Sequence, residues 1–277
     1  MIQLHRDRMA VDPSFLDPGR HARLMELFGA ARAGRLKDKA TSKRLFASDR
    51  WKAAKPQLQK ETSGKCAFCE TPTAAVYYGD VEHFRPKADY WWLAYCYDNY
   101  LFSCRVCNGK KSDKHLKASS AMPAPAVANL SDAQVLQLAL TSSPAPGDAV
   151  ALATLTTALA AEGALLPNPY EVNPEPIFTW VADPVLREVR MAANPAHPAS
   201  AGAMRAAEEV LDLNRDELRT LRWKTYEQLE RLRGIAQIAG EPIRSDVVAL
   251  LTTMADSSMP YAAMVRYFAK SQWRLIP

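Results

Sequence analysis

No apolar run in this 277-residue sequence approaches the roughly eighteen residues that a membrane-spanning helix needs. The opening Met1-Ile2-Gln3-Leu4-His5-Arg6 also lacks the pattern of a secretory signal. The expectation is a soluble, cytoplasmic protein without a membrane partner. Glycine is scarce, with 11 residues, and none of them builds a GxGxxG turn or a GxSxG elbow. Gly109-Lys110-Lys111 is not a P-loop, because Cys104 stands five residues upstream where glycine is required and no Ser or Thr follows Lys110. Dinucleotide enzymes, serine hydrolases and P-loop ATPases are therefore set aside. Disorder is excluded over most of the chain by its 48% apolar content.

Cysteine is also scarce, but four of the five fall into two turns, Cys66-Ala67-Phe68-Cys69 and Cys104-Arg105-Val106-Cys107. The two-residue spacer lets both sulfurs of a turn face one ion, and four thiolates from two such turns close a tetrahedral Zn²⁺ site. In a reducing compartment that outcome is favoured over disulfides. Cys96, between Tyr95 and Tyr97, reads as a small buried apolar residue. A purely structural knuckle would account for the cysteines alone. It would not call for Glu82-His83-Phe84-Arg85-Pro86-Lys87 between the knuckles, nor for Asn108 directly after the last one, followed by Gly109-Lys110-Lys111. A ββα metal nuclease needs such groups. His5, His21, His115 and His197 have no comparable partners and are given no role.

Charge is divided unevenly, with +9 over residues 1–117 and −4 over residues 118–277. From Arg32 to Lys65 there are 11 basic and 3 acidic residues, interleaved with Leu36, Leu45, Phe46, Trp51 and Leu58. A basic stripe leading into a metal site suits a phosphate-backbone track, and a solvated helix face is the plainer alternative. Apolar spacing predicts a helix through Leu24, Leu27 and Phe28 and another over about residues 40 to 60. Val76–Val81 and Tyr100–Ser103 read as strands and Asn108–Leu116 as a short helix. The Ala-, Pro- and Ser-rich stretch 118–169, with its clearest loop at Thr141–Gly147, reads as a linker or an insertion. Beyond it, Ile177–Val181 fits one strand of a small hairpin and residues 199–212 fit a helix. Asn214 with Glu217 three positions on matches a capping box for the next helix, and two more helices are expected after Pro242 and Pro260.

The Cys66–Cys69 turn, Glu82-His83-Phe84-Arg85-Pro86-Lys87, Tyr97-Asp98-Asn99-Tyr100-Leu101 and Cys104-x-x-Cys107-Asn108-x-x-Lys111 together resemble HNH endonucleases with a zinc-clamped ββα-metal fold. Within these they are similar to the PtuB nucleases of Septu and related retron anti-phage systems. The resemblance implies that His83 is the general base, suited to the role by its near-neutral pKa. It implies that Asn108 and Glu82 hold a catalytic Mg²⁺ or Mn²⁺, that Asn99 orients the loop that aims His83, and that Cys66, Cys69, Cys104 and Cys107 hold structural Zn²⁺. Arg85, Lys87, Lys110 and Lys111 are the expected nucleic-acid contacts, with Trp91, Trp92, Tyr95 and Tyr97 packing the loop. The implied partners are DNA, with RNA left open, and a PtuA-like ATPase. Glu82 presents a difficulty, since neighbours on a regular strand face opposite sides. Either the strand ends at Pro86 so that Glu82 joins His83, or Glu82 braces a Lys or Arg instead.

An α+β protein is thus expected, with basic N-terminal helices over residues 1–60 and a zinc-clamped HNH core over 61–118. The linker or insertion follows at 119–170, then a mostly helical scaffold or docking region at 171–277, where Leu218, Leu221, Leu229, Leu232, Tyr261 and Phe268 suit either a core or a partner. The expected function is metal-dependent endonucleolytic cleavage of DNA. The alternatives are a non-catalytic zinc-knuckle module that binds nucleic acid and an adaptor protein.

Overall fold

The computed structural model describes residues 1–73 and 78–277. Four helices open the chain: α1 (Gly19–Arg32), α2 (Lys39–Leu45), α3 (Asp49–Lys52) and α4 (Lys55–Glu61). Leu24, Leu27 and Phe28, spaced to share one helical face, are the buried side of α1. The single helix expected over residues 40 to 60 is three short ones. Pro56 lies in the first turn of α4, where its missing N–H costs nothing. In the interior of a longer helix it would break the ladder, so a new helix starts there.

Strands β1 (Asp80–His83) and β2 (Tyr100–Ser103) form an antiparallel hairpin with Val81 opposite Phe102 and His83 opposite Tyr100, and helix α5 (Arg105–Lys111) follows at once. The part of the expected first strand at Val76 and Tyr77 lies outside the described residues. Gly79, at φ 63°, leads into β1 where a Cβ would meet the Phe102 ring at 2.2 Å, so both its backbone angle and its lack of a side chain are required.

The stretch read as a linker or insertion contains two helices, α6 (Asp132–Ser142) and α7 (Ala149–Ala160). A true capping box opens α6, with the Ser131 hydroxyl accepting from Gln134 N–H and the Gln134 side chain accepting from Ser131 N–H. Val135 and Ala139 of α6 are fully buried. The remainder comprises the hairpin β3 (Phe178–Asp183) and β4 (Glu188–Ala193), then α8 (Ser200–Leu211), α9 (Asp216–Ile238), α10 (Ile243–Met254) and α11 (Ala262–Arg266).

All four residues of β2 are buried, and successive side chains of a strand face opposite ways. Leu101 enters one apolar cluster, with Phe68, Val210, Leu218, Leu229 and Leu251. Tyr100 and Phe102 enter another, with Leu24, Phe28, Leu58, Trp92 and Val135. The β1–β2 hairpin is therefore the layer between the N-terminal helices and the C-terminal ones. Of the apolar residues weighed for docking, Leu218, Leu229, Tyr261 and Phe268 are buried in the first cluster, Leu232 is partly buried against it, and Leu221 is exposed.

The capping box expected at Asn214 and Glu217 does not form. The residue capping α9 is Arg215, with no side-chain cap bond. Asn214 instead serves the backbone of β4: its Oδ1 accepts from Met191 N–H at 2.8 Å, and its Nδ2 donates to Met191 C=O at 2.8 Å and Glu208 Oε1 at 2.6 Å. A half-buried amide bonded to both groups of one strand residue outweighs a single exposed cap. Asn214→Ala is expected to lower unfolding free energy by about 1–3 kcal/mol, and Glu217→Ala by less than about 0.5 kcal/mol. Urea unfolding of the two variants checks this, and the opposite ranking would restore the cap.

Candidate metal centre and the cleft beside it

The first knuckle turns between Lys65 and Pro72, which are bridged antiparallel. Cys66 N–H donates to Thr71 C=O at 3.0 Å and Glu70 N–H to Cys66 C=O at 2.9 Å, folding the turn so that both its sulfurs face inward. Ala67 N–H donates to Phe102 C=O at 2.9 Å, joining the knuckle to β2. In the second knuckle Cys104 caps α5, and its sulfur accepts from Cys107 N–H at 3.4 Å. The four Sγ atoms lie within 4.8 Å of one another, and Cys69 and Cys104 are 3.9 Å apart. A tetrahedral ion with Zn–S bonds of about 2.3 Å requires sulfurs about 3.8 Å apart, so the cluster fits such an ion. Burial pushes the Cys66 thiol well above its ordinary range, because a desolvated thiolate needs a positive charge beside it. A bound divalent cation supplies that charge. Among the described residues the four cysteines are the only group of three or more potential ligands gathered this closely.

On the other side of α5 a cleft of about 480 Å³ opens between α3, α4, β1 and α5, lined among others by Lys52, Lys55, His83, Lys87, Arg105 and Asn108. The His83 ring is packed edge-on against Trp51 at 4.7 Å and Tyr100 at 5.0 Å. Its Nε2 lies 3.0 Å from Ala94 C=O. A carbonyl only accepts, so Nε2 carries the hydrogen and the neutral ring keeps its lone pair on Nδ1. Burial, reinforced by the Lys87 ammonium, lowers the His83 pKa to about 3, so the ring is neutral through the physiological range. Asn99 pins the loop that follows: Phe84 N–H donates to its C=O at 2.8 Å, its Oδ1 accepts from Arg85 N–H at 2.9 Å, and its Nδ2 donates to Arg85 C=O at 3.0 Å. Asn108 Nδ2 donates to Asp80 Oδ2 at 3.0 Å, and the exposed Arg105 stands 3.8 Å from the same oxygen. Among the described residues no donor meets Asn108 Oδ1, which leaves that atom to accept or ligate.

Several expected contacts are engaged by other protein groups, although Glu82 also lines the cleft. Glu82 is buried, and its Oε1 accepts from Lys111 Nζ at 2.7 Å, while Lys111 also donates to His83 C=O at 2.8 Å. The strand stays regular as far as His83, and Glu82 accordingly braces a lysine. Burial outweighs that ammonium and raises the Glu82 pKa to about 7. Lys111 is fully buried and does not face the cleft. Arg85 is also buried, its guanidinium paired with Glu162 at 3.3 Å and Glu171 at 3.6 Å. Lys110 is exposed and paired with Asp212 at 2.7 Å. Of the four expected nucleic-acid contacts, Lys87 is the one that lines the cleft, where its ammonium sits 5.6 Å from the centre of the Trp51 ring. The other cleft cations, Lys52, Lys55 and Arg105, were not singled out from the sequence, although the first two belong to the basic stripe. Asp80 was not anticipated either; its position three residues before His83, so that it meets Asn108 across the mouth of the hairpin, was the signal.

No family model matches the chain, and no solved structure matches it. A curated relative, the Septu protein PtuB of Bacillus mycoides (strain KBAB4), is 36% identical over 69 aligned positions, covering 20% of this chain and 23% of the relative. The chain is thus similar to a PtuB over a segment spanning under a quarter of that protein's length.

Elemental analysis of the purified chain is expected to give one thiolate-bound ion per molecule. Cys66→Ser and Cys107→Ser should lose it and unfold at lower temperature, because the binding energy of such a site is folding energy. Cys96→Ser should retain it. Full metal content in either knuckle variant would contradict the assignment.

Proposed function

We propose that the chain is a metal-dependent HNH endonuclease that cleaves DNA phosphodiester bonds, the nuclease of an anti-phage system of the Septu type, with Zn²⁺ on its four thiolates and a PtuA-like ATPase as partner. The observation that carries this reading is the cleft, where a neutral imidazole, an amide bonded to a carboxylate and four basic side chains converge beside the cysteine cluster. In the proposed roles Nδ1 of His83 takes the proton of the attacking water. Burial and Lys87 hold the ring at a pKa of about 3 without substrate, below the near-neutral value that suits a general base, and the negative charge of a bound phosphate is what would raise its basicity for this step. Its Nε2–H bond to Ala94 and the Asn99 ties to Arg85 hold the ring and its loop in place. Asn108 would hold one Mg²⁺ or Mn²⁺, with Asp80 the carboxylate beside it, and Glu82 acts through Lys111, whose ammonium also anchors the His83 carbonyl. Such a hard cation binds through one or two carboxylates together with substrate phosphate and supplies Lewis acidity at the phosphoryl oxygens. Lys52, Lys55, Lys87 and Arg105 line the walls where the backbone phosphates would lie.

The ATPase is assigned to the helical region 171–277. With Leu218, Leu229, Tyr261 and Phe268 inside the core, the exposed apolar side chains of α9 and α10, namely Ile235, Ile238, Ile243 and Leu250, are the contacts proposed for it. The rival reading, a non-catalytic zinc module that binds nucleic acid, draws on the burial of His83 between two aromatic rings, since a histidine so packed can also serve as core.

His83→Ala and Asn108→Ala are each expected to reduce Mg²⁺- or Mn²⁺-dependent DNA cleavage, assayed with the ATPase present, by at least about 10²-fold, with metal content on the cysteines near wild type. Thermal melting should stay near wild type for Asn108→Ala and fall for His83→Ala, which leaves a cavity between Trp51 and Tyr100. Lys52→Ala with Lys55→Ala should weaken DNA binding and flatten its salt dependence by about one phosphate per lysine. Cleavage by His83→Ala at the native rate would sink the catalytic reading, and unchanged DNA binding by that variant would then favour the binding module.

A further inference from the structure

One arginine from the C-terminal helices reaches the sulfur cluster. Helix α8 ends at Asp212 in a left-handed conformation, and the turn that follows sends Arg215 back towards α5. There Nη1 and Nη2 of Arg215 lie 3.9 and 3.8 Å from Cys107 Sγ, within reach of N–H···S bonds. Nη1 also faces Leu211 C=O at 3.4 Å and Asp212 C=O at 3.2 Å, which fixes the plane of the guanidinium. Cys107 is fully buried, as are Cys66 and Cys69.

Four thiolates around a divalent ion leave a net charge of −2, which is costly to place where three of the four sulfurs are out of water. Two guanidiniums stand near the cluster, Arg215 at the cap of α9 and Arg222 seven residues further on within that helix. Arg222 makes no bond to sulfur; it lies over the Trp180 ring at 4.9 Å and donates to Leu213 C=O at 2.8 Å. Arg215 is the one whose fork meets a ligand atom. Residues hydrogen-bonded to metal ligands govern how firmly the ion is held, and the planar fork of arginine directs two donors at one acceptor in a way that lysine does not.

We propose that Arg215 is the counter-cation and N–H···S donor of the thiolate centre, so that retention of the ion depends on the α8–α9 turn. The inference rests on the reading of the cluster as a zinc site. It would be tested on the full-length holoprotein by the rate of zinc transfer to the chromogenic chelator 4-(2-pyridylazo)resorcinol and by zinc affinity in competition. Arg215→Met, similar in length and neutral, is expected to weaken zinc retention about 10–100-fold, with Arg215→Lys in between. Arg219→Met should behave as wild type, because Arg219 pairs with Glu188 and Asp216 and not with sulfur.

A second measurement separates a bond to sulfur from a general packing role. In the cobalt-substituted chain, Arg215→Met should shift the thiolate-to-metal charge-transfer absorption to lower energy, since a sulfur that loses an N–H donor holds its electrons less tightly. Zinc release by Arg215→Met within about twofold of wild type, with an unmoved cobalt band, overturns the proposal. Should Arg215→Met fail to fold, Arg215→Lys decides: several-fold faster release supports the role and the native rate overturns it. Wild-type protein without zinc would instead refute the metal reading on which the inference stands.

Discussion

The gathering of four sulfur atoms within 4.8 Å is the constraint from which the rest of the arrangement follows. It fixes both ends of the segment that carries β1, the aromatic loop and β2. Cys104 and Cys107 belong to the first turn of α5, so the same clamp sets the direction of that helix and brings Asn108 against Asp80. The cluster is itself held from three sides. The knuckle is bonded to β2 through Ala67 and Phe102, Arg215 approaches Cys107, and the Thr71 and Tyr261 hydroxyls meet at 3.3 Å. The sulfur cluster and the C-terminal helices are therefore parts of one packed unit.

The hairpin is packed from both sides by the two apolar clusters, and the cleft opens beside it. Tyr100 and Phe102 hold β2 against the N-terminal layer, and Leu101 holds it against the other. His83, opposite Tyr100, inherits the stiffness of that pairing. Its low pKa is a consequence: a ring enclosed by Trp51 and Tyr100, with Lys87 near, cannot carry a proton cheaply. The cations that line the cleft come from α3, α4 and α5 and, with Lys87, from the loop after β1, while Arg85 and Lys111 hold the frame from inside.

The knuckles were legible in the sequence because the chemistry of a metal turn fixes its spacing, and the hairpin was legible because the runs before His83 and at Tyr100–Ser103 are rich in strand-forming and apolar residues. The roles of Arg85 and Lys111 were not. A cation beside a histidine reads the same whether it faces a phosphate or a buried carboxylate, and the Glu162 that pairs with Arg85 lies 77 residues away. The two capping-box patterns make the same point. Ser131 and Gln134 form one, and Asn214 and Glu217 share its spacing yet do not, because the strand backbone at Met191 competes for the Asn214 amide. Helices α6 and α7 were hidden by Ala- and Pro-rich composition, although Val135 and Ala139 already carried a helical spacing.

Hydrogen–deuterium exchange of the holoprotein before and after removal of its metal by chelation would test most directly whether the thiolate cluster organises the molecule. Loss of protection is expected to begin at β1, β2 and α5 and to extend through the α8–α9 turn to β4, while α1 and α6, packed together in the other layer, exchange last. Undiminished protection of β1, β2 and α5 in the metal-free protein would contradict the account.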